Sequence, residues 1–128
     1  DLIDRARVIR RQLGGAMRQV GVIAAGALHA LEHNVDRLAE DHVIARTLAE
    51  GLAELPHVVI DPQTVETNIV VFDLEDVDGG EFRQRLAAEG VLCSAFSPTR
   101  MRMVTHLDVD SDDIDEAVAA AGRVLKAL

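Results

Sequence analysis

The chain contains no Trp and no Tyr, and its three Phe residues bring the aromatic content to 2%. A core built without large rings must rest on Leu, Val, Ile and Ala. The same shortage removes the stacking platforms that single-stranded nucleic acids need. Basic residues are also in deficit: 13 Lys and Arg against 22 Asp and Glu leave a net charge of −9. No basic stripe offsets it, so a phosphate-backbone partner is excluded. Cysteine occurs once, at Cys93, which rules out an internal disulfide and a cysteine-based zinc site and points to a reducing compartment. Lysine occurs once too, at Lys126, so Schiff-base chemistry would have to use that residue or come from outside the chain. Long apolar runs are missing: the longest uncharged stretch, residues 19–31, is too short for a bilayer and contains His29. No basic-apolar-small leader marks export. These absences predict a soluble, cytoplasmic protein with no membrane or nucleic-acid partner. The chain opens on Asp rather than Met, which suggests excision from a longer protein.

What remains is aliphatic and helical in character. Residues 1–13 place Leu2, Ile3, Ala6, Ile9 and Leu13 at three- and four-residue steps. Gly14 and Gly15 interrupt them, since each costs roughly 1 kcal/mol relative to Ala inside a helix. A long helical pattern then runs over 17–55, rich in Gly and Ala at first and amphipathic after Asn34, where a bend is expected; Pro56 ends it. Beyond Pro56 the period switches to strands. HVVID and TNIVVFDL read as strands, EFRQRLAAEG as a helix stopped by Gly90, and VLCSAF and RMRMVTHLDV as two further strands. SDDIDEAVAAAGRVLKAL reads as a last helix with Ser111 as its N-cap. The order predicts an α+β fold, a small antiparallel sheet with helices on one face, preceded by a long connecting helix. Residues 1–35 have no strand nearby to pack on, so an apolar helix there is expected to dock on something the chain does not supply.

Few constellations carry chemistry. His29 and His33 have metal-ligand spacing but no third ligand, and read as ordinary helix histidines. Asp108, Asp110 and Asp112 alternate as in a calcium loop, but the glycine and the bidentate Glu fall on Asp113 and Ala119, so the acids read as helix-capping. Cys93 reads as a buried, inert thiol. No metal site and no catalytic residue is assigned. Two arginines stand out. RMRMVTH puts Arg100, Arg102 and Val104 on one face of a strand and Met101, Met103 and Thr105 on the other. Arg102 is then either a surface residue of an edge strand or a fixed clamp for a carboxylate. Arg18, between a helix break and a small-residue helix, is either a structural ion-pair partner or a site residue.

GGAMRQVG, ALEHN, RLAEDH, TNIVVFDL and RMRMVTHLDVDSDDID, in that order, resemble the C-terminal portion of L-threonine aldolases, pyridoxal-phosphate enzymes of the aspartate-aminotransferase-like fold. The resemblance covers essentially the whole chain. It implies that residues 1–45 are the end of a large domain with its connecting helix, and that 46–128 are the small C-terminal domain. It implies that Arg102 binds the α-carboxylate of threonine or allo-threonine, which is cleaved to glycine and acetaldehyde, and that Arg18 lies at the cofactor. It further implies that pyridoxal phosphate and the Schiff-base lysine belong to a parent enzyme, with none of the cofactor bound by this chain alone. Contacts through 17–35, to the large domain or within a homo-oligomer, follow in the same way. A free-standing, non-enzymatic ligand-binding or regulatory α+β domain is the alternative.

Overall fold

The run TNIVVFDL and the alternating RMRMV segment form the two inner strands of a four-stranded antiparallel sheet, in a computed structural model that describes residues 1–128. Strand β2 (Ile69–Leu74) pairs with β4 (Arg100–Val104), with β1 (Val58–Val59) outside β2 and β3 (Ser94–Ala95) outside β4. The order is therefore β1-β2-β4-β3. Period-two alternation sends Val70, Phe72, Leu74, Met101 and Met103 into the core. Their neighbours Ile69, Val71, Asp73, Arg100, Arg102 and Val104 alternate with them and take the opposite face.

Three helices cover the buried face: α3 (Leu38–Ala53), α4 (Gly79–Ala88) and α5 (Ser111–Lys126). Their apolar residues recur at helical spacing, with Ala45, Leu48, Ala49 and Leu52 buried on α3 and Ile114, Ala117, Ala121 and Leu125 on α5. With so few aromatics, one ring pair is central: Phe72 of β2 meets Phe82 of α4 edge-to-face, centroids 6.3 Å apart. Small residues let α3 and α5 approach closely. A Cβ at Gly51 would lie 2.7 Å from Val118 Cγ2.

The buried polar groups join segments far apart in sequence. Asp41 on α3 takes its charge partner from Arg37, at 3.3 Å. The hydroxyl of the buried Thr105 donates to the Asp41 carbonyl (3.1 Å), while its backbone N–H donates to the Asn68 carbonyl (3.0 Å). Asn68 Nδ2 returns a bond to the Thr105 carbonyl (2.8 Å). No buried side-chain nitrogen or oxygen lacks a partner.

The chain divides into two compact units, residues 1–36 and 37–128. Residues 37–45 fold with the sheet, because Asp41 and Ala45 are part of the buried stripe of α3. The first unit consists of α1 (Leu2–Gln12), a turn in which Gly14 adopts a φ of +77°, and α2 (Val20–His33). None of the residues of α1 or α2 is buried, and α2 presents Val20, Val22, Ile23, Leu28 and Leu31 to solvent.

Three local expectations need revision. The helical pattern over 17–55 is two helices, α2 and α3, separated by a turn at 34–37; the Arg37 side chain pairs with Glu40 and Asp41 in the first turn of the second. The N-cap of α5 is Asp110 rather than Ser111. Its carboxylate accepts from the Asp112 and Asp113 N–H groups, and Asp113 accepts from the Asp110 N–H, a reciprocal capping box. Of VLCSAF, Ser94 and Ala95 pair as strand, and residues 91–93 stay outside the ladder, the Val91 N–H donating to the Leu86 carbonyl at 3.1 Å. No helix is long and apolar enough to cross a membrane.

Gly79 opens α4 where the 97–99 turn crosses it, its N–H donating to the Pro98 carbonyl at 2.8 Å. An added Cβ would sit 2.6 Å from that same oxygen and 2.9 Å from Met101 Sδ. Gly79→Ala is therefore expected to destabilise the second unit by about 1–3 kcal/mol in urea unfolding. Gly80→Ala, whose Cβ meets a side-chain oxygen of Asp78 at 3.0 Å, is expected to cost less.

Candidate carboxylate-binding site

Two arginines share the open face of β4, two residues apart, and their surroundings differ. Arg100 lies opposite Asp73 in the β2–β4 register, and the pair closes a fork: Nε to Oδ1 at 2.9 Å and Nη2 to Oδ2 at 2.7 Å. The hydrogen bond from Arg100 holds the Asp73 carboxyl below the usual carboxylate range, and Asp73 in turn raises the Arg100 guanidinium. The charge of that arginine is paired within the sheet.

Arg102 lies opposite Val71 on one side and Ser94 on the other, so no acid faces it across either strand. Because β3 closes the sheet beyond it, β4 is an inner strand and the edge-strand reading of Arg102 fails. Its Nε donates to Ser94 Oγ at 3.2 Å, and its guanidinium carbon stands 5.3 Å from the centroid of the Phe96 ring. It forms no ion pair within the chain, whereas Arg100 does. Around it the open face is apolar and exposed: Ile69, Val71, Phe96 and Val104. A cation held in an apolar surround without its anion is chemically suited to a ligand carboxylate.

A tight turn carries β3 into β4. Ser97 Oγ accepts from the N–H groups of Thr99 (3.3 Å) and Arg100 (3.0 Å), and the Phe96 N–H donates to the Arg100 carbonyl (2.8 Å). This hairpin sets Ser94 and Phe96 beside Arg102. Sequence patterning alone did not single out Ser94, Phe96 or Asp73; what could have found them is the strand register, since each lies on the face of Arg100 and Arg102 once the pairing is known.

The other candidates fall out as follows. Arg18 lies in the turn before α2, exposed and without an ion pair or side-chain hydrogen bond, and it belongs to the first unit while Arg102 belongs to the second. The rings of His29 and His33 stack at 4.2 Å, and His33 Nδ1 lies 2.9 Å from the His29 carbonyl. No group of three or more His, Cys, Asp or Glu is placed to hold a metal ion. Burial pushes the Cys93 thiol up, which disfavours the thiolate. Lys126 is exposed in the last turn of α5. A cleft of about 380 Å³ opens beside residues 91–92, lined by Met103, Val104, His106 and Ile114; of its carboxylates, Glu89 and Glu116 are bound to Arg123 and Asp113 accepts from the Asp110 N–H.

The Asp73–Arg100 pair has a defined pH signature. A lowered carboxyl adds stability in full above the ordinary carboxylate value, and that contribution is lost as pH falls through the lowered one. In Arg100→Gln the Asp73 titration followed by carboxyl NMR is expected to move up towards the ordinary value. An unmoved midpoint would mean that the fork does not govern it.

The family model described as beta-eliminating lyase matches residues 1–75. The chain is 36% identical over 115 residues to low-specificity L-threonine aldolase 1 of Arabidopsis thaliana, which spans 88% of this chain and 32% of that protein. It is 38% identical over 119 residues to low specificity L-threonine aldolase of Escherichia coli K12, spanning 93% of this chain and 34% of that one. The chain thus spans about a third of the length of the relatives it matches. Among solved structures, a NifS-like protein from Rickettsia africae superposes with a TM-score of 0.57 at 15% identity, covering 71% of this chain and 31% of that one. An ornithine aminotransferase from Plasmodium yoelii gives 0.55 at 14% identity, over 73% of this chain and 24% of that one. These two share the α+β fold of this chain over the residues covered. With more than half of its residues under one family model, the chain belongs to the beta-eliminating lyase family and has the low-specificity L-threonine aldolases as sequence relatives.

Proposed function

We propose that this chain is the substrate-carboxylate-binding part of a pyridoxal-phosphate-dependent threonine aldolase, a carbon–carbon lyase that releases glycine and acetaldehyde from L-threonine or L-allo-threonine. The observation that carries the reading is the contrast on β4: Arg100 is paired with Asp73, and Arg102, on the same strand, has no acid of its own. Arg102 then binds the α-carboxylate and orients the bond to be broken. Pyridoxal phosphate, when bound, supplies the electron sink for that cleavage.

The chain's own residues fit the cofactor in part. Arg18, exposed and unpaired, offers a guanidinium suited to a phosphate or carboxylate. Lys126 suits the cofactor poorly, because it is exposed in the terminal turn of α5. In this reading the cofactor-binding lysine comes from outside these residues. The exposed apolar side chains of α2 then pack against the large domain or a second subunit. One observation favours the non-enzymatic alternative, namely the closed core of residues 37–128, which would also serve a free-standing domain.

A chimera decides between them. These residues replace the matching third of the Escherichia coli enzyme, and threonine cleavage is assayed with and without Arg102→Ala. The expected result is an active chimera in which Arg102→Ala raises KM for L-threonine at least about tenfold, from the loss of a charge-assisted bond, with cofactor affinity unchanged. Equal loss of both affinities, or of neither, contradicts the reading.

A further inference from the structure

The edge of Arg102 that remains open is determined by two neighbours. A guanidinium can meet a carboxylate side-on, through Nε and one Nη, or end-on, through Nη1 and Nη2. Arg100 uses the first mode on Asp73. At Arg102 that mode is already occupied, because Nε donates to Ser94 Oγ at 3.2 Å. The same hydroxyl lies 3.5 Å from the Arg102 backbone carbonyl, to which it donates. One serine thus lies close to both the head of the side chain and its own backbone carbonyl. The Phe96 ring stands 5.3 Å from the guanidinium carbon and restricts it from another direction. Neither residue carries charge, so neither competes with an anion.

Resting on the carboxylate-binding reading above, we infer that Ser94 and Phe96 are positioning residues that hold Arg102 with its Nη1–Nη2 edge free, so that an amino-acid α-carboxylate is met end-on. Their effect is on preorganisation. An arginine free to rotate would lose rotamer freedom on binding, and one already held loses less. The short β3 strand, two residues long, has a function in this account: the Ser94–Arg102 register presents the hydroxyl to Nε, and the turn that follows brings Phe96 alongside.

The test uses the 128-residue chain labelled with ¹⁵N at arginine Nε, the Arg102 signal being identified by its loss in Arg102→Lys. Two quantities are read: Nε relaxation without ligand, and the shift of the same signal on titration with glycine. Ser94→Ala is expected to increase the motion of the Arg102 Nε–H and to weaken glycine binding about three- to tenfold, with Ser94→Thr restoring both. Phe96→Leu is expected to weaken binding about two- to fivefold, with Phe96→Tyr close to the native chain. Unchanged Nε relaxation in both Ser94→Ala and Phe96→Leu would overturn the inference, whatever the affinity does. If the native chain binds glycine no better than Arg102→Lys, the carboxylate reading itself fails, and the ligand-free relaxation still decides whether Ser94 and Phe96 hold the side chain.

Discussion

The pairing register of β2 with β4 is the constraint on which the rest depends. In the observed register Val71 faces Arg102 and Asp73 faces Arg100, on the face away from the helices. A slip of one residue would turn both guanidiniums into a core of Val, Phe, Met and Leu and turn Met101 and Met103 out to water. Burying two unpaired cations would cost more than a domain this size has in net stability. Polar locks at both ends hold the register. At one end Asp73 and Arg100 close their fork; at the other Asn68 and Thr105 exchange two hydrogen bonds, and Thr105 ties the strand to α3 through the Asp41 carbonyl.

That frame explains why segments distant in sequence matter together. RLAEDH, TNIVVFDL and RMRMVTH lie on a helix and two strands, and their Asp41, Asn68 and Thr105 meet in one partly buried network. The network fixes the end of β4 to a rigid helix, and so fixes the strand on which Arg102 stands. A site built on an inner strand moves little, and a carboxylate clamp requires that. The open face differs in character from the packed one: it is exposed and carries the Asp73–Arg100 fork, four apolar side chains and one unpaired cation.

Much of this is legible in the sequence. Periodicity alone separates TNIVVFDL as a buried strand from the helices on either side, and the alternation of RMRMVTH correctly divides arginine from methionine faces. The small antiparallel sheet with helices on one face follows from the same patterns. What stayed hidden depends on pairing. Whether β4 is an inner or an edge strand cannot be decided from five residues, and that decides whether Arg102 is a surface charge or a held one. The break between α2 and α3 has no Gly or Pro to announce it, since residues 34–37 are Asn, Val, Asp and Arg. The cap of α5 passed from Ser111 to Asp110 because a carboxylate one position earlier can accept two N–H groups at once. Ser94 and Phe96 carry no signal until the hairpin is closed.

The central claim is that Arg102 is held ready for an external carboxylate. The most direct measurement is a crystal structure of the chain grown with excess L-threonine. The account predicts both carboxylate oxygens of the amino acid within hydrogen-bond distance of the Arg102 guanidinium, with the Asp73–Arg100 fork intact. A carboxylate seated instead on Arg100 with Asp73 displaced, or an Arg102 left bare beside bound amino acid elsewhere, would contradict it.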